Sequence, residues 1–407
     1  MNLETYLVGG AVRDTLLGLE PKDLDYVVIG STPNEMESLG FKQVGADFPV
    51  YLHPNTGEEY ALARTESKDS KGYCGFTSSW DGVSLHQDLG RRDLTINSMA
   101  IQSGTVLIDP YGGAADLMNK TLRHTTEAFQ EDPVRVLRVA RFLARFGPDW
   151  IVAEETAQLC EKIVQEEFKS LTAERVWLET HKALSEPHPE LFFKFLWSID
   201  EGIWFKELWD LYDIPQPEKH HPEIWTFKHT MLCLTQGVKR EATPKELFAI
   251  LCHDLGKAPC WEQRGNLHGH EETGVEYVEA LCDRLKVPKD YRELAVKVCR
   301  WHQYSHKILD VNPKKVHKLF KGLDCIRKPK ILESFNLCNW ADATGRTEVF
   351  QDREYPQASY LVACLEAVKM VDCATISKTL LAKGKTGEVI GEAIRVAQIH
   401  SIRGVKK

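Results

Sequence analysis

Apolar residues in the first third of the chain fall in short runs separated by Gly-rich turns. Tyr6–Val8, Tyr26–Ile29, Glu59–Ala63 and Val106–Ile108 carry the β-branched and aromatic side chains that suit strands. Ala11–Leu17, between the first two runs, reads as a helix. From about Pro133 the pattern changes: Val134, Leu137, Ala140, Phe142 and Leu143 fall at helical spacing, and similar periodicity recurs to the C-terminus with strands almost absent. The expected fold class is therefore α+β, a mixed head followed by an all-helical body. Ser67–Asp81, rich in Ser, Lys, Gly and Asp, reads as a long mobile loop within the head. Pro215, Pro217 and Pro222, with His220 and His221, make a short polar stretch suited to a boundary between helical units.

Composition narrows the class. A chain of 407 residues is long enough for about two to three domains with proper cores. Its formal charge of −8 argues against a protein that coats nucleic acid non-specifically, yet leaves room for a local basic groove. The 11 cysteines are scattered singly with no C-x-x-C pair, which suits reduced, buried thiols rather than disulfides or zinc ribbons. With no secretory signal and no apolar run near the ~18 residues a membrane span needs, a cytoplasmic protein without membrane contact is expected.

Candidate chemistry appears first at Val8-Gly9-Gly10, which follows a strand and opens a helix, and at Asp23-Leu24-Asp25, which leads into the next strand. Glycines let backbone N–H groups approach a triphosphate, and a helix start favours its negative charge. Residues two apart on a strand share a face, so Asp23 and Asp25 are expected as paired carboxylates. Such a pair suits Mg²⁺, which also takes phosphate oxygens, and so points to two-metal phosphoryl transfer. The ordered set of strand, Gly-Gly, helix, D-x-D and strand resembles the nucleotidyltransferase superfamily that includes DNA polymerase β. Glu59 on a later strand is the candidate third carboxylate, with Glu58 its competitor.

Further motifs follow in order: Gly9-Gly10-Ala11-Val12-Arg13-Asp14, Asp23-Leu24-Asp25, Arg91-Arg92-Asp93-Leu94-Thr95-Ile96-Asn97, Asp109-Pro110-Tyr111 and Glu131-Asp132-Pro133-Val134-Arg135. Together they resemble the class II CCA-adding enzymes, and specifically the bacterial tRNA nucleotidyltransferases with an extra HD domain. The resemblance spans nearly the whole chain and weakens in the last 40 or so residues. It implies that Asp132 and Arg135 act as a protein template. A carboxylate accepts from the exocyclic amine of cytosine or adenine, while a guanidinium donates to ring acceptors. It further implies that Gly10, Arg13, Arg92, Arg138 and Arg141 bind the nucleotide, with Arg145 continuing the stripe and Asp93 bracing one of the arginines. Tyr73 and Phe76 either stack on a base or anchor their loop.

A second constellation lies downstream. His253-Asp254 closes the apolar run Leu247–Cys252 and is followed by Gly256-Lys257, with His229 upstream and Asp342 farther along. This order resembles the HD phosphohydrolase superfamily. It implies that His229, His253, Asp254 and Asp342 hold a divalent transition metal, nickel among the candidates, with a position open for water. His268, His270, His302 and His306 are candidates for additional ligands or phosphate contacts.

The reading is template-independent addition of C, C and A to the 3′ end of tRNA from CTP and ATP, by a monomer or a homodimer. The resemblance adds HD hydrolysis of 2′,3′-cyclic phosphates, 2′-nucleotides and other phosphates. A poly(A) polymerase shares the head motifs, but neither the HD set nor the full-length pattern favours it. A chain that is primarily an HD phosphohydrolase would not need Asp23 and Asp25. The expected segments are a transferase head (1–130), a helical neck and body (131–219), an HD domain (220–345) and a helical tail (346–407).

Overall fold

A computed structural model describes residues 3–44, 50–68, 76–200 and 202–406. The chain divides into two compact units, Met1–Ile203 and Trp204–Lys407.

The first unit is built on a sheet of strands β1 (Glu4–Val8), β2 (Asp25–Ile29), β3 (Lys42–Val44), β4 (Val50–Leu52) and β5 (Glu59–Leu62), extended by the short Ala100–Gln102 and Val106–Ile108 strands. β2 lies at its centre, antiparallel to β1 and parallel to β5. Its Val27 and Val28 point to opposite faces because side chains alternate along a strand. Val27 joins Tyr6, Val8 and Leu89 on one face, and Val28 joins Met36, Tyr51 and Leu62 on the other. Burial on both sides fixes the register, which sets Asp25 opposite Val8 on β1 and opposite Glu59 on β5.

The predicted helix after the first strand spans Gly10–Leu16. Gly9 precedes it at φ 72°, and a Cβ there would stand 3.0 Å from Arg92 Nη1, so only glycine suits the position. The expected loop over Ser67–Asp81 is corrected. Strands Thr65–Lys68 and Phe76–Ser79 pair antiparallel, with Thr65 opposite Ser79. Polar residues on both strands leave no apolar alternation to read. Tyr73 lies outside the described residues, as does the side chain of Phe76.

The basic stripe sits on helix Val134–Phe146, which packs against helices Ala173–Ala183 and Pro189–Ile199. The second unit is helical. Its core gathers Thr226–Lys239, Pro244–Cys252, His270–Leu285, Lys289–His306 and Lys330–Thr344. A capping box between Thr243 and Glu246 fixes the start of Pro244–Cys252, and His253 is its C-terminal cap. The Pro215–Pro222 stretch lies inside this second unit, tied by Gln216 N–H to the Ile224 carbonyl at 2.8 Å. Among the described residues no helix is long and apolar enough to cross a membrane.

Candidate functional sites: an arginine-lined cavity and a buried histidine cluster

The first unit holds a cavity of about 730 Å³. Gly9, Gly10, Asp23 and Asp25 line it, and so do Arg13, Arg92, Asp132, Arg135, Arg138 and Arg141. Most of the nominated residues of the head thus converge on one space. Their arginines are braced from behind. Arg138 donates to Asp93 Oδ2 at 2.7 Å, Asn97 donates to Asp93 Oδ1 at 3.0 Å, and Arg13 donates to Asn97 Oδ1 at 2.6 Å. Asp14 accepts from Arg13 at 2.9 Å and from Arg145 at 3.0 Å. Arg141 donates to Glu179 at 2.7 Å, while Arg92 and Arg91 share the buried Asp88. Arg135 donates to the Ala128 and Arg91 carbonyls, each at 2.7 Å. Orienting guanidinium groups in this way prepares them to meet phosphate or a base edge without losing side-chain freedom on binding.

Burial opposes ionisation of Asp93, yet Arg138 and Asn97 hold its pKa far below the ordinary carboxylate value. Asp25 behaves differently. Burial raises its pKa, Arg92 opposes the rise and Asp23 adds to it. That like-charge repulsion is what a hard cation held between the two carboxylates relieves, so the donor set fits Mg²⁺.

Two details depart from expectation. Asp23 lies in a bend before β2, which begins at Asp25, so strand alternation does not account for the pair; both nonetheless line the cavity. Glu59 is the register partner of Asp25 but is exposed and does not line the cavity, while Glu58 accepts from Thr56 Oγ1 at 2.7 Å. Sequence reasoning missed Arg175, Glu179 and Lys182, which line the cavity from helix Ala173–Ala183. Their i, i+4, i+7 spacing was the available signal.

The second unit buries a histidine cluster. His229, Cys233, His253 and Asp342 form one potential ligand group, and Asp254, His270 and His302 form another. His253 Nδ1 lies 2.6 Å from the Ile250 carbonyl, His270 Nδ1 2.7 Å from that of Leu267, and His302 Nδ1 2.7 Å from that of Cys299. A carbonyl only accepts, so each ring carries a proton on Nδ1 and aims Nε2 into the cluster, where His270 Nε2 and His302 Nε2 lie 3.0 Å apart. Asp254 Oδ2 lies 3.0 Å from His253 Nε2, and Asp254 Oδ1 lies 3.3 Å from His270 Nε2 and 3.6 Å from His302 Nε2. Asp342 meets His229 Nε2 at 3.2 Å and His306 Nε2 at 2.6 Å. Tyr355 OH stands 3.2 Å from His306 Nδ1.

Burial opposes the charge on Asp254 and Asp342, but His253 with Lys257, and His306 with His253, hold both far below the ordinary range. Burial and His270 keep His302 neutral. His253 Nε2 and Asp254 Oδ1 are buried without a hydrogen-bond partner among the described residues. A buried ring nitrogen and a buried carboxylate oxygen left without partners, beside ionised carboxylates, are what a divalent transition metal satisfies, so the residues fit one. Cys233, one turn after His229, and Glu223 went unread in the sequence, and His268 belongs to neither ligand group among the described residues.

Comparison with known proteins gives two family matches. Residues 5–123 match the Poly A polymerase head domain and residues 226–332 match the HD domain. The chain is 48% identical to the multifunctional CCA protein of Thioalkalivibrio sulfidiphilus, covering 99% of each chain. It is 46% identical to that of Teredinibacter turnerae, over 99% of this chain and 98% of the other. Among solved structures, the Thermotoga maritima CCA-adding enzyme complexed with tRNA matches over 100% of this chain and 88% of its own, with TM-score 0.64 at 21% identity. The apo form II of a CCA-adding enzyme matches with TM-score 0.65 at 22% identity, over 100% of this chain and 89% of its own. At that identity the likeness is one of fold.

Proposed function

The chain belongs to the family of bacterial multifunctional CCA proteins, CCA-adding nucleotidyltransferases with an HD domain, and on that premise we propose how its two sites divide the work. The arginine-lined cavity takes CTP and then ATP and extends the 3′ end of tRNA. The observation that carries this reading is the convergence of Gly10, Asp23, Asp25, Arg13, Arg92, Asp132 and Arg135 on one cavity. Asp23 and Asp25 would hold Mg²⁺, with Glu59 nearest in register; of two such ions, one would lower the pKa of the attacking 3′ hydroxyl and the other would steady the leaving pyrophosphate. Arg13, Arg92, Arg138 and Arg141 receive the phosphates in orientations their carboxylate and amide partners already fix. Asp132 accepts from the exocyclic amine that cytosine and adenine share, and Arg135 donates to the ring. Uracil and guanine present a keto oxygen at that place and are refused.

The HD cluster is proposed as a metal-dependent phosphohydrolase site for 2′,3′-cyclic phosphates, 2′-nucleotides and other phosphates. His229, His253, Asp254 and Asp342 would hold the metal, nickel among those its donors suit, and the metal when bound supplies an activated water. His270 and His302 face the second oxygen of Asp254 as donors for a further ion. We also propose head, neck, HD and tail segments at 1–130, 131–219, 220–345 and 346–407, and a cytoplasmic site of action.

The head match alone suits a poly(A) polymerase equally well; the full-length relatives favour CCA addition. The test supplies tRNA lacking its 3′ end with labelled CTP and ATP and reads the length and sequence added. Addition stops at C, C and A; an open-ended A tail would instead mark a polymerase. Asp23→Ala and Asp25→Ala should abolish addition and leave phosphohydrolysis.

A further inference from the structure

We propose that Glu223 is a positioning residue of the HD centre, a buried carboxylate that orients His229 and sets the affinity of the centre for its metal. The inference rests on the metal reading of the cluster and adds a residue outside the four nominated ligands.

His229 differs from its neighbours in how it is held. His253, His270 and His302 each give Nδ1–H to a main-chain carbonyl three residues earlier. The carbonyl in that place for His229 belongs to Thr226, and it takes the Thr230 hydroxyl at 3.0 Å. His229 Nδ1 instead meets Glu223 Oε1 at 2.9 Å, and His221 Nδ1 meets the same oxygen at 2.9 Å. A carboxylate behind a ligating imidazole fixes its tautomer and ring plane and makes the outer nitrogen a stronger donor than a carbonyl does. That outer nitrogen, Nε2, points into the cluster, 3.2 Å from Asp342 Oδ1 and 3.9 Å from Asp254 Oδ2.

The chain goes out of its way to put Glu223 there. Glu223 is 2% exposed, and its Oε2 has no hydrogen-bond partner among the described residues. A buried carboxylate half unpartnered in this way is costly unless it serves a neighbour. The next residue, Ile224, sits at φ 65°, a left-handed conformation that β-branched residues rarely adopt. Trp225 N–H returns to the Glu223 carbonyl at 2.8 Å, so the tight bend that aims Glu223 also starts the helix bearing His229.

The experiment titrates the metal-free full chain with Co²⁺, reading both the dissociation constant and the visible ligand-field spectrum. Glu223→Leu should weaken binding by about 10- to 100-fold and alter the spectrum. Glu223→Gln, which keeps an acceptor and loses the charge, should fall between that and wild type. CCA addition by the Glu223→Gln protein should match wild type and its metal-free melting should stay cooperative, which separates positioning from misfolding. Binding by both variants within twofold of wild type, with an unchanged spectrum, would overturn the inference. The parent reading fails separately, if His253→Ala binds Co²⁺ as tightly as wild type.

Discussion

Arg175 Nη2 donates to Asp132 Oδ2 at 2.7 Å, joining helix Ala173–Ala183 to the residue proposed to read the base amine. The other oxygen, Oδ1, accepts from Val134 N–H at 3.2 Å, so the carboxylate is held in one plane from two sides. A carboxylate free to rotate would meet a keto oxygen less unfavourably than one held in place. Arg175→Gln should therefore lower discrimination between CTP and UTP. A hydrogen bond to a charged group contributes about 1.5–3 kcal/mol, which corresponds to roughly a 10- to 100-fold loss in the ratio of kcat/KM values. Steady-state incorporation on tRNA lacking its 3′ end measures it; an unchanged ratio would remove Arg175 from base selection.

Asp93 ties the head to the arginine helix through Arg138, and Asp93→Asn should destabilise the first unit. Removing one partner of a buried pair costs about 3–5 kcal/mol; Arg138 keeps partial solvent access, so a loss on the order of 2 kcal/mol is expected. The pH dependence carries a sign. The folded-state pKa of Asp93 is depressed, so its contribution is fully present above the ordinary aspartate value of about 3.9 and is lost as pH falls towards the folded value. Wild type should lose stability more steeply than Asp93→Asn as pH falls below about 4, and denaturant melts across pH read the difference.

The head was legible where strict geometry leaves a mark in residue type. Gly9 must be glycine for its φ of 72°, and the arginines of helix Val134–Phe146 repeat at helical spacing towards one cavity. Arg175 and Glu179 escaped because an i, i+4 Arg–Glu pair reads as ordinary surface chemistry until another helix is packed against it. The Thr65–Lys68 and Phe76–Ser79 strands escaped because a polar hairpin has no apolar face to alternate. Glu223 escaped because its role depends on a bend at Ile224, a backbone state no composition signal announces. In the HD unit the nominated His and Asp residues were readable as a set, whereas Cys233 was masked by the general burial of cysteine.

Gly256 should prove as demanding as His253 and Asp254, the residues proposed as ligands beside it. A Cβ at this position would stand 2.0 Å from the His270 carbonyl oxygen and 2.5 Å from Gly274 N. The start of helix Lys257–Arg264 thus touches the backbone of His270–Leu285, which keeps Asp254 and His270 within 3.3 Å. Gly256→Ala must separate these elements. Overpacking costs about 1–3 kcal/mol, and the upper end is expected because the obstacle is backbone. Metal affinity should fall while CCA addition, served by the first unit, persists. Isothermal titration and the tRNA assay separate the two effects.

Metal binding should stabilise the second unit and release protons. Without a cation, burial lowers the pKa of His229, but Cys233 and Asp342 more than offset this and raise it well above the ordinary value. A metal at Nε2 takes the place of that proton, so binding should be weaker at low pH and should acidify a weakly buffered solution. Added metal at 100 times its dissociation constant should stabilise by about 2.7 kcal/mol, read as a raised melting temperature that a chelator reverses. His253→Ala should reduce the shift to what Asp254, His270 and His302 can still hold. The two oxygens of Asp254 face different nitrogens, His253 on one side and His270 with His302 on the other, so native mass spectrometry should find two ions in wild type. His270→Ala should hold one, because the four residues proposed for the first ion, His229, His253, Asp254 and Asp342, remain without it. A single ion in wild type, with the same affinity in His270→Ala, would reduce His270 and His302 to contacts of Asp254.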